Sequence, residues 1–81
     1  MALVITVAPA GDGWSVRSDA FENELVFRHG GRAEAAARAL AKRYADAGRS
    51  SEVRIFLRDG ALAGAFKHPA GEPRQTLALA S

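Results

Sequence analysis

Gly31-Arg-Ala-Glu-Ala-Ala-Ala-Arg-Ala-Leu-Ala-Lys-Arg-Tyr-Ala-Asp-Ala-Gly48 is the stretch whose reading decides the fold. Ala33, Ala36, Ala37, Leu40, Tyr44 and Ala47 recur at three- and four-residue steps, which stacks them on one face of an α-helix. Arg32, Glu34, Arg38, Lys42 and Asp46 fall on the opposite side. Alanine is the best helix former, and Glu34 to Arg38 is the favourable i,i+4 order for an ion pair. The spacing predicts Gly31 as the N-cap, with Glu34 at the third helical position, where its carboxylate meets unpaired N–H groups. Gly48 is the expected left-handed stop.

On the N-terminal side, Leu3 to Ala8 reads as a strand with both faces apolar or nearly so, which suits an interior position. Pro9 ends it, and Ala10-Gly11-Asp12-Gly13 turns the chain. Trp14 to Ser18 alternates as a half-buried second strand, and Phe21 to Arg28 as a third with an irregular start around Asn23. After Gly48, Val53, Ile55 and Leu57 alternate with Glu52, Arg54, Phe56 and Arg58 in a fourth strand. Asp59-Gly60 then predicts a two-residue hairpin loop with positive φ at both residues. That loop would set Leu57 opposite Leu62, Ile55 opposite Gly64, Val53 opposite Phe66 and Glu52 opposite Lys67.

The order is β-β-β-α-β-β. A single amphipathic helix has one apolar face and so covers one side of one sheet. A right-handed crossover from the third strand through the helix puts the fourth strand beside the first. The expectation is an α+β fold with a mostly antiparallel sheet, strand order 3-2-1-4-5, and one helix on one face. Leu3, Ile5, Val7, Trp14, Val16, Leu25, Phe27, Val53, Ile55, Leu57, Leu62 and Phe66 should lie against that helix. Residues 1–68 form the expected domain and 69–81 a C-terminal tail, with room for a short added strand at 76–80.

With 81 residues there is one domain, and with no cysteine there is neither a disulfide framework nor thiolate chemistry. Met1-Ala-Leu-Val-Ile-Thr-Val has no positive n-region and no apolar run reaches ~18 residues, so the expected setting is the cytoplasm, without membrane contact. The net charge of +2 rests mostly on arginine, which a GC-rich genome raises together with alanine. A dedicated nucleic-acid domain shows a larger and more clustered excess.

His29 and His68 lack any Cys or carboxylate at ligand spacing, so no metal site is expected. No cluster of carboxylates sits in the first strand, and Ser15, Ser50 and Ser51 have no base nearby in sequence, so neither metal-dependent nor nucleophilic catalysis is expected. Gly11-Asp12-Gly13 reads as a turn. The feature that points to function is the sheet face turned away from the helix. Arg17, Val26, Arg28, Arg54, Phe56 and Arg58 should gather there, beside Val4, Thr6, Ser15 and Ala63. Such a face suits a protein or dimer contact, since small monomers rarely leave contiguous apolar area open. Arginines around an open Phe could alternatively hold single-stranded nucleic acid.

Val7-Ala8-Pro9, Gly13-Trp14-Ser15-Val16, the alanine-rich helix, Val53-Arg54-Ile55 and Asp59-Gly60 together resemble a family of small bacterial proteins catalogued only as a domain of unknown function. The resemblance spans roughly residues 4–66 and departs from the family's Ser or Thr helix start at Gly31. It implies no activity. The element order is also similar to the partial ribonuclease-H-like fold of HicB-type antitoxins, without their acidic Pro-Gly segment, and implies a protein-binding or RNA-associated precedent. The functional expectation is a non-catalytic, self-associating protein-interaction module without cofactor. The alternative is weak single-stranded nucleic-acid binding.

Overall fold

β1 (Leu3–Ala10) is the axis of the molecule, because an apolar or small residue on both faces suits only a strand flanked on both sides. It is the middle strand of a five-stranded sheet in the computed structural model, which describes residues 2–70. The sheet order is β3-β2-β1-β4-β5, with β2 at Gly13–Ser18, β3 at Phe21–Phe27, β4 at Ser51–Phe56 and β5 at Leu62–His68. The helix α1 (Gly30–Asp46) connects β3 to β4. β1 runs parallel to β4, while the β1–β2, β2–β3 and β4–β5 pairs are antiparallel, so the sheet is mixed. Element order and strand order are those that one apolar helix face requires. The expected strand at 76–80 lies outside the described residues.

Ala33, Ala37 and Ala41 are the fully buried residues of α1, packed with Ile5, Val7, Val16 and Val53. Trp14, Phe27, Leu40, Tyr44 and Ile55 flank that centre. The expected stripe lacked Ala41 and included Ala47, which is instead the exposed C-cap. In a run of alanines no side chain is bulky enough to declare which neighbour faces inward; the sheet decides. The helix also begins at Gly30 with His29 as N-cap, two residues earlier than expected, and no side chain caps it. Glu34 consequently falls in the second turn, where its carboxylate pairs with Arg38 at 2.9 Å. The other end closes as expected: Gly48 has φ +84, its N–H donates to Ala45 O at 2.9 Å, and the Arg49 N–H donates to Tyr44 O at 2.8 Å. Those two bonds are a Schellman motif. The Tyr44 hydroxyl lies 2.9 Å from Ser18 Oγ and ties the helix to the end of β2.

Leu25, Leu57, Leu62 and Phe66 were expected in the core but are 44%, 47%, 54% and 39% exposed. A helix with its side chains is ~10–12 Å wide, whereas five strands at ~4.8 Å span about twice that. α1 lies mainly over β2, β1 and β4, leaving both edges thinly covered. Phe66 is partly sheltered by the Arg38 guanidinium, 4.5 Å from its ring centre.

The hairpin differs from the two-residue loop. The Leu57 N–H donates to Ala61 O at 2.8 Å and the Gly60 N–H to Leu57 O at 2.9 Å, which closes a three-residue loop. Gly60 alone has positive φ there (+89), and Asp59 Oδ1 accepts the Ala61 N–H at 2.9 Å. An aspartate bonding two residues onward suits this geometry, in which only the glycine must be left-handed. The expected register holds for Glu52–Lys67, Val53–Phe66 and Ile55–Gly64, then shifts so that Phe56 faces Leu62. Ala63 is the extra residue of that bulge, and it turns Leu62 away from the helix. β3 is also irregular: Val16 faces Leu25 while Ser18 faces Phe21.

Three substitutions probe this packing and the hairpin turn. Ala37→Leu should lower stability by ~1–3 kcal/mol through overpacking, while Lys42→Ala stays within ~0.5 kcal/mol, by urea denaturation. Gly60→Val should cost at least ~1 kcal/mol in the same measurement, because a branched residue is strained at positive φ.

Candidate functional site

The strand registers divide the outer face, the one turned away from α1, into rows. Nearest the β1–β2 turn, Val26 faces Ser15 and Ser15 faces Ala8. One step past the Val7–Ile55 pair, Phe56 continues the row and faces Leu62. Val26 is 66% exposed, Phe56 is half-buried and Leu62 is open. Ser15 is only 3% exposed, and its hydroxyl is 3.4 Å from Ala8 O, so it adds almost no polarity to the surface. The next row runs Arg17, Thr6, Arg54, Ala65, and the last runs Val4, Glu52, Lys67. The face thus has an apolar end and a charged end.

Part of the charge is matched within the chain. Arg54 meets Glu52 at 3.2 Å, and Glu52 stands opposite Lys67. Arg58 does not stand on the face: its guanidinium donates to Gly11, Asp12 and Gly13 carbonyl oxygens at 3.2, 3.0 and 3.3 Å. It also lies 5.1 Å from the Trp14 ring centre. A planar fork of five N–H donors can satisfy several carbonyls and stack on an indole at once, which an ammonium cannot. The contact pins the β4–β5 hairpin to the β1–β2 turn.

Of the six residues expected on the face, Val26 and Phe56 occupy the apolar end and Arg17 and Arg54 share the next row. Arg28 lies just past β3 and joins Ala10, Asp12, Gly13, Val26 and Phe27 around an open hollow of about 470 Å³. Arg58 is drawn off by the turn. Leu62, Ala8 and Ser15 join the apolar row although the sequence reading placed none of them at its centre. Leu62 was hidden by the bulge, which leaves no mark in the alternation of residues.

His29 is the exposed N-cap of α1, and His68 ends β5 opposite Ser51. Ser51 is buried, and its Oγ has no hydrogen-bond partner among the described residues. Among those residues no three His, Cys, Asp or Glu side chains converge, and no helix is long and apolar enough to cross a membrane.

The role of Arg58 can be measured. Arg58→Ala should lower stability by ~1–2 kcal/mol and red-shift the Trp14 emission, and Arg58→Lys should fail to restore either, since it cannot reproduce the fork. Equal stability and spectra in all three proteins would show that the clamp contributes nothing.

The chain matches no protein-family model, no curated protein and no solved structure.

Proposed function

We propose that this chain is a non-catalytic protein-interaction module that associates with itself and works through the surface α1 leaves bare. That surface is the outer face of the sheet together with the flank of β5 that no strand pairs with among the described residues. The observation that carries the reading is the apolar row of Val26, Ala8, Phe56 and Leu62 on a face that no other element covers among the described residues. Contiguous apolar area of this kind marks a contact with protein more often than with solvent. We place the chain in the cytoplasm, in keeping with its lack of cysteine. The likeness to the small bacterial domain of unknown function belongs to the same proposal and rests on the motifs quoted above.

The nucleic-acid alternative is less well supported. A binding face for single strands combines open aromatic platforms with cations free to follow phosphates. Here Phe56 is half-buried, Arg54 is paired with Glu52, and Arg58 is spent on the β1–β2 turn.

Sedimentation and an oligonucleotide titration separate the two. The module should self-associate with rising concentration, persist as a complex in molar salt, and leave a single-stranded oligonucleotide unbound at low salt. The opposite pattern would replace this reading: a monomer that binds the oligonucleotide, with affinity falling steeply as salt rises and a flatter slope in Arg54→Ala.

A further inference from the structure

The two flanks of the sheet are built differently. β3 carries Glu24 and an irregular register against β2. Charges and bulges are the usual devices that keep a strand edge from pairing with another chain. β5 has no charge from Leu62 to Phe66, and only β4 pairs with it among the described residues. β5 also has a bulge at Ala63 and a charge at Lys67, but the uncharged run between them presents a row of backbone donors and acceptors ready for a further strand.

We propose that the strand taken up there is β5 of a second copy, joined antiparallel across a two-fold axis at Ala65. This rests on the self-association proposed above and names its contact. An isologous contact requires a surface that complements itself, and β5 does so in this register. Ala65 meets its own equivalent, Gly64 faces the second copy's Phe66, and Ala63 faces the second copy's Lys67. Gly64 and Phe66 both lie on the helix side of β5, since they oppose Ile55 and Val53, so the pairing respects the faces of both sheets. Phe66 leans over its own Gly64, where an added Cβ would be 3.4 Å from the ring. The two rings therefore come together beside the axis, over positions with no side chain to hold them off. The two lysines stay apart, each opposite an alanine. The bulge at Ala63 ends the pairing on one side and Lys67 ends it on the other.

Ala65 is the position that tests this, because it faces Arg54 within the chain and itself across the axis. In Ala65→Glu the new carboxylate lies opposite Arg54, which favours the fold, but two carboxylates would meet at the axis. With the full-length chain in sedimentation equilibrium, the wild type should dimerise. Ala65→Glu should weaken the dimer at least about tenfold, with an unchanged circular dichroism spectrum. Ala65→Lys should also weaken it, and an equimolar mixture of the two variants should restore a dimer containing one of each. A dimer that persists in Ala65→Glu overturns the edge contact, and its loss in Phe56→Ser would then place the second copy on the outer face, leaving the interaction module itself intact. A wild-type chain that stays monomeric at every concentration defeats self-association and the edge contact together.

Discussion

One helix of 17 residues must close a sheet five strands wide, and that mismatch governs the rest of the structure. Alanine at 33, 37 and 41 is its first consequence. With so little side chain between helix and sheet, Ile5, Val7, Val16 and Val53 can all reach the same short stretch of backbone. A second is the place of β1, whose Ile5 and Val7 lie beneath the helix while Val4, Thr6 and Ala8 lie on the face the helix leaves uncovered. A third is the thin cover over β3 and β5, where Leu25 and Phe66 remain partly open although they point to the helix side.

The architecture was legible because it depends on patterns that survive local error. One amphipathic helix, five alternating runs and the handedness of a crossover leave few arrangements, and a shift of two residues at a helix start changes none of them. The misses share a different character. Gly31, Glu34 and Ala47 were misplaced by a residue or two because alanine and glycine carry little information about which side they face. Leu62 was misassigned because Asp59-Gly60 fits both a two-residue and a three-residue loop. Here the side chain of Asp59, which reaches Ala61, favours the longer one. A single extra residue at Ala63 then reverses the side of everything before it. Neither Asp-Gly nor Ala-Gly-Ala announces a bulge.

The candidate surface was legible in the same uneven way. Val26 and Phe56 could be placed by alternation alone. Arg58 could not, since its carbonyl partners at Gly11, Asp12 and Gly13 are more than forty residues away in sequence. Its diversion alters the chemistry of the face more than any other residue does, removing a cation from the apolar end and leaving Phe56 and Leu62 as neighbours. Arg17, Arg54, Glu52 and Lys67 collect at the far end, where Glu52 offsets only part of the positive charge.

The parallel pairing of β1 with β4 sets a timetable for the chain as it is made. Residues 3–27 can form the β1–β2–β3 meander as soon as they leave the ribosome, because each of those contacts is local. β4 ends at Phe56, so the flank of β1 that will receive it stays open while α1 and the segment after it are still being synthesised. At ~5–20 residues per second that interval is on the order of seconds, long compared with the microseconds in which a hairpin forms. Throughout it, Leu3, Val4, Ile5 and Val7 stand at an unprotected edge with neither face covered. The best-shielded strand of the finished protein is thus the one most in need of protection during its synthesis. A pause in translation anywhere between β3 and the end of β4 would lengthen that exposure.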